Sequence, residues 1–274
     1  MEPSDAAVPS ASDRSPDGQV EVTVVDEHVL LMVVDRVEKR NGFTPTMLRG
    51  LAEAMTRLDD DPDLWVGVLG FAGDHSTAGL DMTKFFGPDA EAGLAVGADL
   101  VDPMGLGRRV TKPVITAVQG LTYTVGIELA LAGDIVIAAD DARFCQIEPK
   151  RGLVALGGAT FRFVDRSGWG NAMYHLLRAD VFDAAEAYRI GIVQEVVAPG
   201  RQLDRALELA AELAQNAPLA MNLTKANARL AVDEGEPAAV AALPEVQRAV
   251  AGTADLAEGV ASFVERRPAR FTGR

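Results

Sequence analysis

Short apolar runs of strand length alternate with helical segments over the first half of this chain, and no other feature restricts the fold as much. Residues 20–25 and 29–34 are rich in β-branched side chains and flank Asp26-Glu27-His28, the pattern of an early hairpin. Thr44-Pro45 reads as an N-cap followed by proline in the first helical turn. Met47, Leu51, Ala54, Met55 and Leu58 then recur at helical spacing. Residues 64–71 and 114–118 are apolar enough for buried strands, 127–132 predict a helix, and 135–139 another short strand. Strands that alternate with helices predict an α/β architecture with much parallel pairing. Residues 82–109, with glycines at 87, 93, 97, 105 and 107, predict broken helix over a site.

From Arg201 onward the pattern is helical only. Leu203, Ala206, Leu207, Ala210, Leu213 and Ala214 form one apolar face, and Leu256, Val260, Phe263 and Val264 form another. A helical region appended to an α/β core often packs against a partner subunit. Residues 1–18, rich in Ser, Pro, Asp and Ala, read as a disordered leader with no signal peptide or anchor. The expected organisation is therefore a leader over 1–18, a core over 19–200 and a helical region over 201–274.

A net charge of −14 argues against nucleic acid, because phosphate binding needs a basic patch. No run is long and apolar enough for a bilayer, so the chain reads as cytoplasmic, with no membrane partner. With a single cysteine, Cys145, no intrachain disulfide can form, and the buried thiol is expected to be inert. The histidines at 28, 75 and 175 show no zinc-ligand spacing, so no metal site is expected. His75 beside Ser76 is no hydrolase signature, since no G-x-S-x-G elbow exists. Asp59-Asp60-Asp61-Pro62-Asp63 reads as a solvated turn.

Two carboxylates stand out. Glu128 lies in Gly120-Leu121-Thr122-Tyr123-Thr124-Val125-Gly126-Ile127-Glu128, which passes from strand into helix, and Glu148 follows Phe144-Cys145-Gln146-Ile147. Both have mostly apolar or small neighbours, and two carboxyl groups in a desolvated cleft can divide acid and base work. A helix that starts near 124–126 presents unpaired N–H groups, and Ser76-Thr77-Ala78-Gly79-Leu80-Asp81 could supply another. Two N–H groups converging on one carbonyl oxygen form an oxyanion hole. The plain alternatives are a helix-end acid for Glu128, a turn carboxylate for Glu148 and a loop brace for Asp81.

Those three segments resemble the signatures of the enoyl-CoA hydratase/isomerase (crotonase) family. Asp35-Arg36-Val37-Glu38-Lys39-Arg40-Asn41 resembles its N-R-P-x-K-x-N motif, and residues 152–162 resemble its glycine-rich G-x-x-P-G-x-G-G-T-x-R segment. The ending from Ser262 onward also resembles a family terminus, and the match runs from about residue 20 in the expected order. The resemblance implies a crotonase-like spiral of β-β-α units with a C-terminal helical trimerisation region, commonly a dimer of trimers. It implies an acyl-CoA or enoyl-CoA thioester as substrate and no cofactor beyond the coenzyme A that the substrate carries. Leu80 and Val125 match the oxyanion donors, and Glu128 and Glu148 the two hydratase glutamates. Lys39, Arg40, Ala78, Phe263 and Arg266 match positions that contact CoA, the last two from a neighbouring subunit. A solvated loop for Lys39 and Arg40, and helix-face packing for Phe263, are the alternatives.

The chain departs from the family pattern in four segments. Thr124-Val125-Gly126 replaces G-G-G, Ala155-Leu156 replaces P-G, Ser76 stands where an aromatic is common, and Val37 replaces proline. In hydratases the segment around 156 helps hold the attacking water, so Leu156 bears directly on hydration. The expected activity is enoyl-CoA hydration. The alternatives are an enoyl-CoA isomerase or acyl-CoA hydrolase on the same fold, or a catalytically weak acyl-CoA-binding paralogue.

Overall fold

The structure, a computed structural model, describes residues 15–86, 94 and 96–274. Strand β1 (Gln19–Val24) turns at Asp26, φ 72°, into β2 (Val29–Asp35), and the two pair antiparallel as the hairpin pattern predicts. Helix α1 (Pro45–Asp60) begins at the Thr44 cap, whose hydroxyl accepts the Met47 N–H at 3.2 Å. Strand β3 (Val66–Phe71) and the short helix α2 (Met82–Phe86) follow. Then come β4 (Val114–Val118), β5 (Leu121–Tyr123), α3 (Val125–Ala132), β6 (Ile135–Ala139) and β7 (Arg143–Cys145). Helix α4 (Ala159–Arg178) is interrupted by non-helical dihedrals at Gly168. Next are β8 (Phe182–Asp183), α5 (Ala184–Arg189) and β9 (Glu195–Val197). Four helices complete the chain: α6 (Gln202–Leu213), α7 (Pro218–Glu234), α8 (Glu236–Val250) and α9 (Ala254–Glu265).

The main sheet has the order β1-β2-β3-β4-β6-β9, parallel throughout except for the β1–β2 hairpin. A second sheet, β5-β7-β8, is built from the segments that follow β4 and β6. Thus β4-β5-α3 is one β-β-α turn of a spiral.

Strand periodicity divides the apolar residues between two cores. Leu30, Met32, Leu69, Val114 and Val136 face α1, α3 and α4, while Val29, Val66, Val68, Ile115 and Ile137 face α6. The α6 face predicted from Leu203 to Ala214 therefore packs on the chain's own sheet, with Ala206 and Ala210 fully buried. The second predicted face behaves differently, since Leu256, Val260, Phe263 and Val264 on α9 are all exposed.

Residues 1–14 of the expected leader lie outside the described residues. Residues 15–18 form a turn held by Arg36 Nε to Pro16 O at 3.0 Å and Thr44 Oγ1 to Asp17 O at 2.6 Å. Of the segment expected as broken helix, 82–86 is helical, 96–109 consists of turns and bends, and 87–93 and 95 lie outside the described residues. The acidic run is not simply solvated. Asp59 accepts from Thr111 N and Oγ1 at 2.7 Å each and pairs with Arg108 at 3.0 Å, which pins the segment before β4 to the end of α1.

One side chain fixes the loop that follows β3. Asn41 accepts the Arg36 N–H at 2.7 Å and donates to Ala72 O and His75 O at 2.8 Å each. Asn41→Ala leaves a buried N–H and two carbonyls without their partner and is expected to cost about 2–4 kcal/mol in urea unfolding. A loss below 0.5 kcal/mol would show that the loop is held by other contacts.

Candidate active site

Glu128 is on the first turn of α3, and Glu148 opens a short 3-10 turn (Glu148–Arg151) directly after β7. Strands β5 and β7 are parallel neighbours, so the segments leaving their ends bring the two carboxyl groups to one cleft. The cleft has a volume of about 410 Å³ and is lined by both glutamates, Leu80, Val125, Ala78 and Arg40. Its remaining walls are largely apolar and include Leu121, Tyr123, Ile147, Leu153 and Leu156.

Both carboxyl groups are buried. Glu128 Oε1 accepts the N–H of Gly157 at 2.7 Å and of Ala159 at 3.3 Å. Burial pushes the Glu128 carboxyl up to about 7. The Ala159 and Gly157 N–H groups and the Arg162 charge oppose that rise, and the Glu148 charge adds to it. Burial also raises Glu148, whose Oε2 has no hydrogen-bond partner among the described residues. With Glu128 near 7, that carboxyl is partly protonated at neutral pH.

A side chain at Gly157 would displace the ends of the Glu128 and Met104 side chains. A Cβ there would sit 2.4 Å from Glu128 Oε2 and 2.4 Å from Met104 Sδ. Arg162 holds this turn in place, donating from Nη1 to Met104 O at 2.6 Å and Gly157 O at 3.1 Å, and from Nη2 to Gly105 O at 3.0 Å. Gly157, Ala159 and Arg162, which hold Glu128 and its turn, fall in the glycine-rich segment at 152–162, to which sequence reasoning gave no individual roles. The available signal was a Gly-Gly pair with an arginine four residues later.

The N–H groups belong to two further lining residues, Leu80 and Val125. Phe43 and Leu80 form an isolated parallel bridge, in which Phe43 N donates to Gly79 O and Asp81 N donates to Phe43 O, both near 2.9 Å. The bridge uses groups on either side of Leu80, so the Leu80 N–H points away from Phe43. Val125 is the first residue of α3, where N–H groups lack intrahelical acceptors. Neither N–H has a protein acceptor among the described residues. Thr124, just before Val125, has φ 46° and ψ −107°, a region costing a β-branched residue about 1–3 kcal/mol.

Asp81 is a brace. It pairs with buried Arg36 at 2.9 Å and accepts from Thr83 Oγ1 at 2.7 Å, and these contacts, with Thr83 first, hold its carboxyl below the usual range. Ser76 is fully buried and exchanges hydrogen bonds with the Gln119 backbone, while His75 Nδ1 accepts from Leu121 N. Both side chains are committed to structure. Cys145 is buried against Ala179 O. Lys39 and Arg40 are exposed in the loop after β2, and of these Arg40 alone lines the cleft. Phe263 and Arg266 lie at the end of α9 and do not line it; Phe263 borders a groove of about 510 Å³ between α7, α9 and Phe271. Among the described residues no cluster could hold a metal ion, and no helix is long and apolar enough to cross a membrane.

Comparison with known proteins agrees with this geometry. The sequence profile of the enoyl-CoA hydratase/isomerase family matches residues 25–274. An enoyl-CoA hydratase of Mycobacterium tuberculosis is 32% identical over 250 residues, covering 90% of this chain and 94% of the relative. Carnitinyl-CoA dehydratase of Proteus mirabilis is also 32% identical, over 90% of this chain and 95% of its own. The crystal structure of a probable enoyl-CoA hydratase/isomerase from Mycobacterium abscessus superposes with a TM-score of 0.89 at 43% identity, over 93% of this chain and 99% of that one. A profile match over nearly the whole chain, relatives above 30% identity and the spiral fold lead to one conclusion: the chain belongs to the enoyl-CoA hydratase/isomerase, or crotonase, family.

Proposed function

We propose that the protein is an enoyl-CoA hydratase, adding water across the double bond of a trans-2-enoyl-CoA. The observation that carries this reading is the convergence of two buried carboxyls and two free N–H groups on one apolar cleft. The thioester oxygen takes hydrogen bonds from Leu80 N–H and Val125 N–H, which draw electron density from the conjugated double bond. Glu128 accepts a proton from water as the water oxygen bonds to the β carbon. The enolate that forms is stabilised at its oxygen by the same two N–H groups. Glu148 delivers a proton to the α carbon, and dehydration runs the steps in reverse. Coenzyme A enters as part of the substrate, and none of these steps needs another cofactor.

Arg40 and Ala78 sit at the cleft on the side of the Leu80 loop, where Ala78 N donates to Arg40 O at 3.0 Å, and are assigned to the CoA moiety. Lys39, on the same exposed loop, is assigned with them. Phe263 and Arg266 could reach CoA only in an assembly that brings α9 of a second copy to the cleft. The exposed apolar stripe on α9 supports such a homotrimer or dimer of trimers.

With trans-2-butenoyl-CoA, loss of the conjugated thioester absorbance measures hydration directly. Glu128→Gln and Glu148→Gln are each expected to slow it by about 10²- to 10⁴-fold. A double-bond shift surviving Glu128→Gln would instead indicate an isomerase, and binding without turnover an acyl-CoA-binding protein. Because the base must be ionised, kcat/KM is expected to fall on the acid side with an inflection near the Glu128 value of about 7. An inflection near 4.5 would contradict that role.

The same burial affects stability. Between pH 4.5 and about 7 the folded state holds a proton on Glu128 that the unfolded chain has lost, so stability falls as pH rises through that window. Glu128→Gln removes the buried charge and is expected to stabilise the fold at pH 8 by roughly 1–3 kcal/mol while slowing hydration. An unchanged or lowered melting temperature at pH 8 would count against it. Leu156 is 59% exposed, lines the cleft and precedes Gly157. Leu156→Gly is expected to raise the hydration rate by making room for the attacking water, and an unchanged rate would remove Leu156 from the site.

A further inference from the structure

We propose that the hydroxyl of Thr124 is a third hydrogen-bond donor to the thioester oxygen, beside the N–H groups of Leu80 and Val125. The proposal rests on the acyl-CoA reading above and adds a catalytic side chain to what that reading draws from the backbone alone.

Three observations place the hydroxyl there. Thr124 lines the cleft with Leu80, Val125 and both glutamates, at the junction between β5 and α3. Its side chain lies against Gly79, the residue before Leu80. A Cβ on Gly79 would meet Thr124 Oγ1 at 2.7 Å, and Gly79 itself has φ 111°. The hydroxyl therefore adjoins the residue before Leu80 and belongs to the residue before Val125, on the cleft that both donors line.

The third observation concerns what the hydroxyl does not do. A threonine before a helix ordinarily caps it, as Thr44 caps α1 through the Met47 N–H and Thr253 caps α9 through the Leu256 N–H. Thr124 makes no such bond, and its hydroxyl has no partner among the described residues. The backbone there, at φ 46°, suits glycine far better than a β-branched residue. Neither helix capping nor backbone conformation explains a threonine at this position. A hydroxyl free to rotate toward an oxygen held by Leu80 and Val125 does. The donor would strengthen as charge moves onto the thioester oxygen, so its effect falls on turnover more than on binding.

Three variants test this. Thr124→Val keeps the shape and removes the hydroxyl, Thr124→Ser keeps the hydroxyl, and Thr124→Gly removes both hydroxyl and strain. With trans-2-butenoyl-CoA, Thr124→Val and Thr124→Gly are expected to lose about 10²-fold in kcat with little change in KM, as for other oxyanion donors. Thr124→Ser recovers most of the loss, and Thr124→Gly melts no lower than the wild type. Infrared spectra of bound hexanoyl-CoA, ¹³C-labelled at the thioester carbonyl, give a readout independent of the reaction. The carbonyl stretch is lowered in the wild type and in Thr124→Ser, and moves back toward the free value in Thr124→Val and Thr124→Gly. A wild-type stretch and kcat in those two variants would overturn the proposal while leaving the acyl-CoA reading intact. An acyl adduct on Thr124 by intact mass would also overturn it, making the residue a nucleophile. No lowered stretch and no turnover in the wild type would overturn the acyl-CoA reading and this proposal together. If Thr124→Val does not fold, Thr124→Gly decides the question alone.

Discussion

The site depends on how one buried carboxylate is held. Glu128 is buried with no ion pair among the described residues, and the hydrogen bonds it receives there come from the backbone of Gly157 and Ala159. An ion pair would lock the group as an anion, whereas burial, opposed only in part by the two N–H groups, leaves its proton affinity near neutrality. Several residues follow from that arrangement. Glycine at 157 lets the backbone approach the carboxylate without displacing it, and Arg162 donates its guanidinium N–H groups to carbonyls that keep the turn in place. The cost is a fold whose stability declines as that group ionises.

The backbone donors of the cleft are fixed by a complementary device. Asn41 and the Arg36–Asp81 pair fasten the loop after β3, and the bridge at Phe43 then turns the Leu80 N–H away from the sheet. Helix α3 begins at Val125 with its own N–H free, and the sharp turn at Thr124 makes that start abrupt. Rigid elements thus bring donors and carboxyls together, so that their geometry does not have to be organised anew as charge develops.

Much of this was legible from sequence because it is local. The apolar runs at 114–118 and 135–139 coincide with β4 and β6, and Thr44-Pro45 begins α1 as its cap chemistry dictates. Glu128, Glu148, Leu80 and Val125 stand out by their neighbours and by motif order, and the fold lines all four along one cleft. What escaped depends on long-range contacts. Asp59 looks solvated in sequence and is bound by residues about fifty positions later. The α6 face, which could have met a partner, closes the second core of its own sheet instead. The Gly157 and Ala159 partners of Glu128 lie 29 and 31 positions away and act through backbone N–H groups, which no side-chain pattern reveals. Strain at Thr124 is equally invisible, since a dihedral angle of 46° leaves no mark on composition.

In the proposed reaction Glu128 is the base on the β-carbon side and Glu148 the acid on the α-carbon side of one polarised double bond. Turnover of trans-2-butenoyl-CoA in ²H₂O, followed by NMR of the product, reads out both roles at once. The expected product is a 3-hydroxyacyl-CoA with the hydroxyl at the β carbon and a single deuterium at the α carbon in one stereochemical configuration. A product with its double bond moved to the β,γ position, deuterium in both α configurations, or free coenzyme A with no hydroxyacyl product would contradict it.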